Sequence, residues 1–267
     1  MKQIIVFLMV YFSPIILFAQ GNCLVFPEAS PERKACEYSY KAIEFHQGSR
    51  ESQRYFDSAI SIGPKYAWSY MEKSVPYFKR GLPHKGIQWL NKAVELEPQN
   101  YLCYRASWFF EYQSYQNCIA DLERYYALPN PSIQFTPSGE MNMKIVLGLS
   151  YAKLGNYKRA AEMISAGIRE NQRENLIGLF DFHALAVVQF LQGNHDDAIL
   201  SCKRQLLQNG LLPDTYYYLG LALKKTGRMM EASDSFAKAL NLIDQEGLKQ
   251  NLCFQVNKSD IAKALMD

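Results

Sequence analysis

The chain has 267 residues, 48% hydrophobic and 21% charged, which is the balance of a folded protein with enough apolar material for a continuous core. A net charge of +3 spread over scattered pairs such as Lys79-Arg80 and Lys224-Lys225 excludes the basic stripe expected of a nucleic-acid binder. No low-complexity tail points to disorder.

From the N-terminus, Lys2 precedes an apolar run from Ile4 to Phe18, and Leu17-Phe18-Ala19 offers a cleavage site, so residues 1–19 read as a signal peptide and Gln20 as the mature start. The run is shorter than the roughly 20 apolar residues of a membrane-spanning helix, so no span is expected after cleavage. Asn22 stands before Cys23 where a lipoprotein signal carries a small residue, which favours a soluble exported protein, periplasmic or secreted, of a bacterial kind. Export permits disulfides among the six cysteines. Cys23 and Cys36, both near the mature N-terminus, are the candidate pair; burial of the cysteines as small apolar side chains fits the sequence equally.

Residues 20–32 form a short leading segment, ending in Ser30-Pro31-Glu32, a helix start with Ser as the cap and Pro at the first helical position. Helical hairpins then follow with units near 33–66, 67–98, 99–128, 141–172, 179–210 and 213–244. The small residue that opens the second helix of each unit recurs at Ser52, Gly86, Cys118, Ala160, Ala198 and Ala232, with separations of 34, 32, 42, 38 and 34. Pro129, Pro131, Pro137 and Gly139 account for the long middle separation, marking 129–140 as an inserted loop. Pro76 predicts a kink in the first helix of the second unit. Ser259-Asp260, followed by Ile261, Ala262, Ala264 and Leu265, predicts a capping helix over 257–267.

Within the units, Leu147-Gly148, Tyr151, Gly155, Tyr157 and Ala160, and again Leu219-Gly220, Leu223, Gly227, Ala232, Phe236 and Ala239, resemble the tetratricopeptide repeat. The resemblance implies an all-α, right-handed superhelical solenoid of about six helix hairpins plus a C-terminal cap, in which Gly148 against Ala160 and Gly220 against Ala232 let paired helices approach. Tyr40, Cys202 and Gln205 depart from the family pattern.

The resemblance also implies a concave binding surface on the first helix of each hairpin. Carried over, its positions are Trp68, Met71 and Phe78; Phe110; Ile145 and Leu149; Phe180, His183, Val187 and Phe190; and Tyr217 and Leu221. These form an apolar groove suited to a protein or peptide partner. A tightly wound solenoid buries part of its own inner face, so each is also read as core. The Lys and Asn clamp that holds chaperone C-termini in some family members is absent, with Glu37 at one of its positions.

Catalytic signatures are missing: there is no GxSxG, GxxxxGK[ST], HExxH or strand-linked GxGxxG, and His46, His84, His183 and His195 fall in different units. Asp196-Asp197 reads as a helix start meeting the positive end of the helix dipole. The expectation is therefore a non-catalytic scaffold without cofactor or metal, and without nucleic acid as partner. The alternatives are a self-associating structural subunit of a secretion or surface complex and, more remotely, a carbohydrate-active enzyme using the aromatic groove.

Overall fold

The Ser30 hydroxyl accepts the Arg33 N–H at 3.2 Å and Pro31 occupies the first helical turn, which starts α1, Pro31–Ile43. The same chemistry repeats at Ser49, which caps α2, Arg50–Ile62, at Asn142 and at Asn156. In this computed structural model residues 22–244 and 254–266 are described; the signal-peptide expectation and Cys253 lie outside them. The further helices are α3 Ala67–Lys79, α4 Pro83–Leu96, α5 Pro98–Glu111, α6 Tyr115–Tyr126, α7 Met143–Lys153, α8 Tyr157–Arg173, α9 Asp181–Gln192, α10 His195–Gln208, α11 Pro213–Lys225, α12 Met229–Asp244 and α13 Lys258–Met266. The described residues contain no strand, only an isolated bridge between Phe135 and Asn142, so the fold is all-α. Helix α3 runs unbroken through Pro76.

The described residues divide into two compact units, one up to Ser69 and one from Tyr70 onward. In the first, a short 3-10 turn at Cys23–Val25 is joined to α1 by a disulfide between Cys23 and Cys36. Ala35, Ala42, Phe56 and Ala59 are buried between α1 and α2. Gly63 is required there because a Cβ would lie 2.6 Å from that of Ala35. The hydroxyls of Ser39 and Ser69 meet at 2.7 Å, and Trp68 packs on Tyr40 with ring centroids 5.0 Å apart.

In the second unit, helices pair as hairpins, α5 with α6, α7 with α8, α9 with α10 and α11 with α12, and each hairpin packs on the next. Gly148 on α7 sits so close to α8 that an added Cβ would lie 2.8 Å from the Ala160 carbonyl oxygen and 2.6 Å from Ile164 Cγ1. Gly220 faces the Phe236 ring, 2.5 Å from its Cβ position. Most turns inside a hairpin carry a glycine at positive φ, as at Gly81, Gly155, Gly193 and Gly227; the α5–α6 turn uses Gln113 at φ 58°. Residues 127–142, between α6 and α7, form the longest irregular stretch between these helices. They fold back as a hairpin in which Thr136 N–H donates to Met141 O at 2.8 Å and Met143 N–H to Gln134 O at 2.8 Å. At the C-terminal end α13 lies on α12 and buries Ile261 in the cluster formed by Leu219, Leu223 and Phe236, which gives the last hairpin the cover that a terminal repeat needs.

Candidate functional site

The first helices of the hairpins also touch one another in sequence, α5 with α7, α7 with α9 and α9 with α11. An interior first helix is therefore enclosed by its own partner, by the preceding hairpin and by its counterparts on either side. In α7 eight of the eleven residues are buried, and in α9 the eight from Asp181 to Val188 are all buried.

This enclosure corrects the groove expectation at five positions, which present almost no area to a partner. Ile145 and Leu149 belong to the core shared with Ile164 and Phe182, and Val187 is fully buried. Phe78 stacks on Trp108 at 4.2 Å with planes 6° apart and lies over Gly86. His183 is 1% exposed, with Nδ1 2.9 Å from the Thr215 hydroxyl of α11, while its backbone N–H donates to Gln205 Oε1 at 2.9 Å. Met71, Phe110, Phe180, Phe190, Tyr217 and Leu221 remain half-buried, as does Trp68 in the N-terminal unit.

Two clefts in the second unit take walls from these partly accessible side chains. One, of about 370 Å³, lies between α5 and the inserted hairpin and is lined by Trp108, Phe110, Glu111, Pro137, Glu140 and Met141, among others. The other, of about 650 Å³, lies between α11, the start of α12 and α13, with Tyr217 and Leu221 beside Lys224, Lys225, Asp260 and Lys263. Of the cleft-lining residues, Phe110, Tyr217 and Leu221 are among the positions expected from the sequence, whereas Trp108, Glu111, Glu140, Met141 and Lys263 are not. The spacing anomaly and the amphipathic C-terminal helix marked the segments bearing two of these, Glu140 and Lys263, but which side chains would face α5 or α11 is decided by tertiary packing.

The titratable groups moved furthest by their surroundings lie within the helix packing instead. Burial lowers His183 to about 4 and raises Cys202 to about 12. Burial also raises Asp181, opposed by hydrogen bonds from Asn171 Nδ2 at 2.7 Å and the Gly178 N–H at 2.9 Å. Asp214 is raised in the same way and accepts the Val256 N–H at 2.7 Å. These carboxylates tie interhelix loops to the helices that follow or flank them. Among the described residues no three His, Cys, Asp or Glu side chains converge as a metal-holding group.

The sequence pattern of the tetratricopeptide repeat matches residues 213–245, the α11–α12 hairpin. No curated protein matches the chain by sequence. Among solved structures it is similar to MamA (residue 41 to the end) from Desulfovibrio magneticus RS-1, with TM-score 0.59 and 14% identity over 69% of this chain and 98% of that one. It is similar to PilW, a type IV pilus biogenesis factor, with TM-score 0.59 and 16% identity over 79% and 94% of the two chains. YrrB, a tetratricopeptide-repeat protein with an unusual peptide-binding site, matches with TM-score 0.57 and 15% identity over 72% and 93%. At these identities the likeness is one of fold. The chain has the fold of tetratricopeptide-repeat proteins, and its hairpin at 213–245 carries the sequence of that repeat.

Proposed function

We propose that this chain is a non-catalytic scaffold that holds a polypeptide partner on the accessible parts of its first helices. One observation carries the reading: in both clefts one apolar wall comes from a first helix, α5 or α11, which supplies Phe110, Tyr217 and Leu221 half-buried rather than sealed in the core. Partly exposed aromatic side chains in a concave setting provide large contact areas at little ordering cost. The perturbed acid–base groups His183, Asp181, Asp214 and Cys202 line neither cleft. YrrB's peptide-binding site on a similar fold supports the same reading.

Export to a bacterial periplasm or exterior is part of the proposal. It is supported by the leader-like residues 1–19 and by the Cys23–Cys36 disulfide, a bond that persists in oxidising compartments. The fold likeness to a pilus biogenesis factor agrees with an envelope role. No described helix is long and apolar enough to cross a membrane.

The test is a pull-down of exported proteins of the source cell on the wild-type chain and on a Phe110→Ala/Tyr217→Ala/Leu221→Ala variant whose helicity is checked by circular dichroism. Retention of a partner by the wild type and its loss on the folded variant supports the reading. Equal retention by both overturns it.

Self-association is a second reading, favoured by a separate apolar region. Gln205 Nε2 donates to the Leu179 carbonyl at 2.9 Å, which brings the loop carrying exposed Leu176, Ile177 and Leu179 beside the end of α10. Leu207, 88% exposed, and Leu211 stand nearby in sequence. Exposed leucines so grouped mark an interaction surface. Sedimentation of wild type and a Leu207→Glu/Leu211→Glu variant over a range of concentrations reads it directly: an unchanging monomer in the wild type removes it.

A further inference from the structure

The cleft between α5 and the inserted hairpin has a chemical character of its own. Trp108 and Phe110 form one wall, and Pro137 and Met141 belong to the insertion side. Glu111 on α5 and Glu140 on the insertion stand on opposite sides, both exposed. Among the described residues no Lys or Arg lines it. Two nearby cations are occupied elsewhere: Arg105 of α5 holds Asp121 with two hydrogen bonds of 2.8 and 2.6 Å and Asn91 with a third, and Lys144 of α7 pairs with Glu170.

The two carboxylates are correspondingly unneutralised. Among the described residues Glu111 makes no ion pair, and Glu140 meets only the Ser138 hydroxyl, at 3.3 Å. Negative charge of one sign against apolar walls is focused into the cleft. An aromatic face beside it attracts a cation a second time, most strongly a planar guanidinium on tryptophan. An anionic segment would meet repulsion from both rims, and a wholly apolar one would leave the carboxylates without a counter-charge.

We propose that this cleft takes an extended segment of a partner polypeptide in which an arginine or lysine sits beside an apolar side chain, the cation between Glu111 and Glu140 and the apolar group on Trp108 and Phe110. The cleft volume of about 370 Å³ is at the lower end of the range that holds small-molecule-sized groups. The inference rests on the scaffold reading above and specifies the partner's chemistry at one place on it. The repeat pattern does not contain this site, because one wall comes from the inserted segment.

The experiment titrates the full chain with a terminally blocked peptide of alternating leucine and arginine and with its leucine–glutamate counterpart. It follows heat by calorimetry and the Trp108 indole N–H by NMR. The arginine peptide is expected to bind and shift the Trp108 signal, the glutamate peptide to do neither. An E111Q/E140Q variant, altered only at exposed side chains, is expected to bind the arginine peptide about tenfold or more weakly at low salt. Equal binding of the two peptides, an unmoved Trp108 signal or an unaltered affinity in the variant each overturns the inference. A natural partner lost on Phe110→Ala/Tyr217→Ala/Leu221→Ala but fully retained by E111Q/E140Q would overturn the cationic segment while leaving the scaffold reading standing.

Discussion

His183 on α9 and Thr215 on α11 are 32 residues apart in sequence and 2.9 Å apart through Nδ1 and the hydroxyl oxygen, a polar link between consecutive hairpins. The imidazole is fully enclosed, and among the described residues its Nε2 has no hydrogen-bond partner. Burial keeps it neutral, lowering it from 6.5 to about 4. The unfolded chain takes up a proton at this residue as pH falls below 6.5, whereas the folded chain resists until about 4. The stabilisation is therefore complete above 6.5 and is lost progressively between 6.5 and 4, by about 3 kcal/mol if the whole difference is realised. Asp181 and Asp214, raised by burial, act in the opposite sense at the acid end and are common to wild type and variant. His183→Phe is expected to flatten the difference in denaturant midpoint between pH 6.5 and pH 4. An undiminished acid sensitivity in the variant would show that another group carries it.

Gly148→Ala tests the closest approach between paired helices. Alanine favours an exposed helix interior over glycine by up to about 1 kcal/mol. Here, however, the new methyl group meets the Ala160 carbonyl oxygen at 2.8 Å and the Ile164 nitrogen at 3.0 Å, both backbone atoms of α8 that cannot rotate away. Overpacking of this kind costs about 1–3 kcal/mol, so a net loss of stability is expected in urea unfolding. A gain would mean that α7 and α8 separate without penalty.

The disulfide closes a loop with a sequence separation of 13. Loops of this length are stabilised by about 3 kcal/mol through restriction of the unfolded chain. Cys23→Ser/Cys36→Ser, which leaves no unpaired thiol at the site, is expected to lower the stability of the N-terminal unit by that order. The fluorescence of Trp68, packed against Tyr40, reports the loss. Unchanged melting of the Trp68 signal would show that the 3-10 turn adds nothing to α1.

The hairpins were legible because their boundaries are steric. Gly155, Gly193 and Gly227 end helices at positive φ, and Gly148 and Gly220 sit where helices touch, so the repeat announces itself through residues that tolerate few substitutes. The faces were not legible in the same way. In α7 the run Met143–Lys153 is apolar nearly all round because neighbours enclose it, so hydropathy cannot separate Ile145 and Leu149 from ligand-facing positions. The insertion was visible as prolines, yet Glu140 and Met141 acquire a role only through the way the segment returns beside α5.

Gln113 breaks the turn rule and supplies the last prediction. It stands where the other turns in the second unit place glycine, at φ 58°, with its N–H donating to Phe110 O at 3.0 Å and the next N–H, of Ser114, to Phe109 O at 2.7 Å. A left-handed conformation costs a residue with a Cβ about 1–2 kcal/mol, part of which glycine gives back through its greater freedom when unfolded. Gln113→Gly is thus expected to raise stability by up to about 1 kcal/mol without altering the α5–α6 packing, seen as a higher urea midpoint with an unchanged slope. A lower midpoint would indicate that the glutamine side chain makes a contact worth more than the backbone strain, and the turn would then be specified by that side chain rather than tolerated in spite of it.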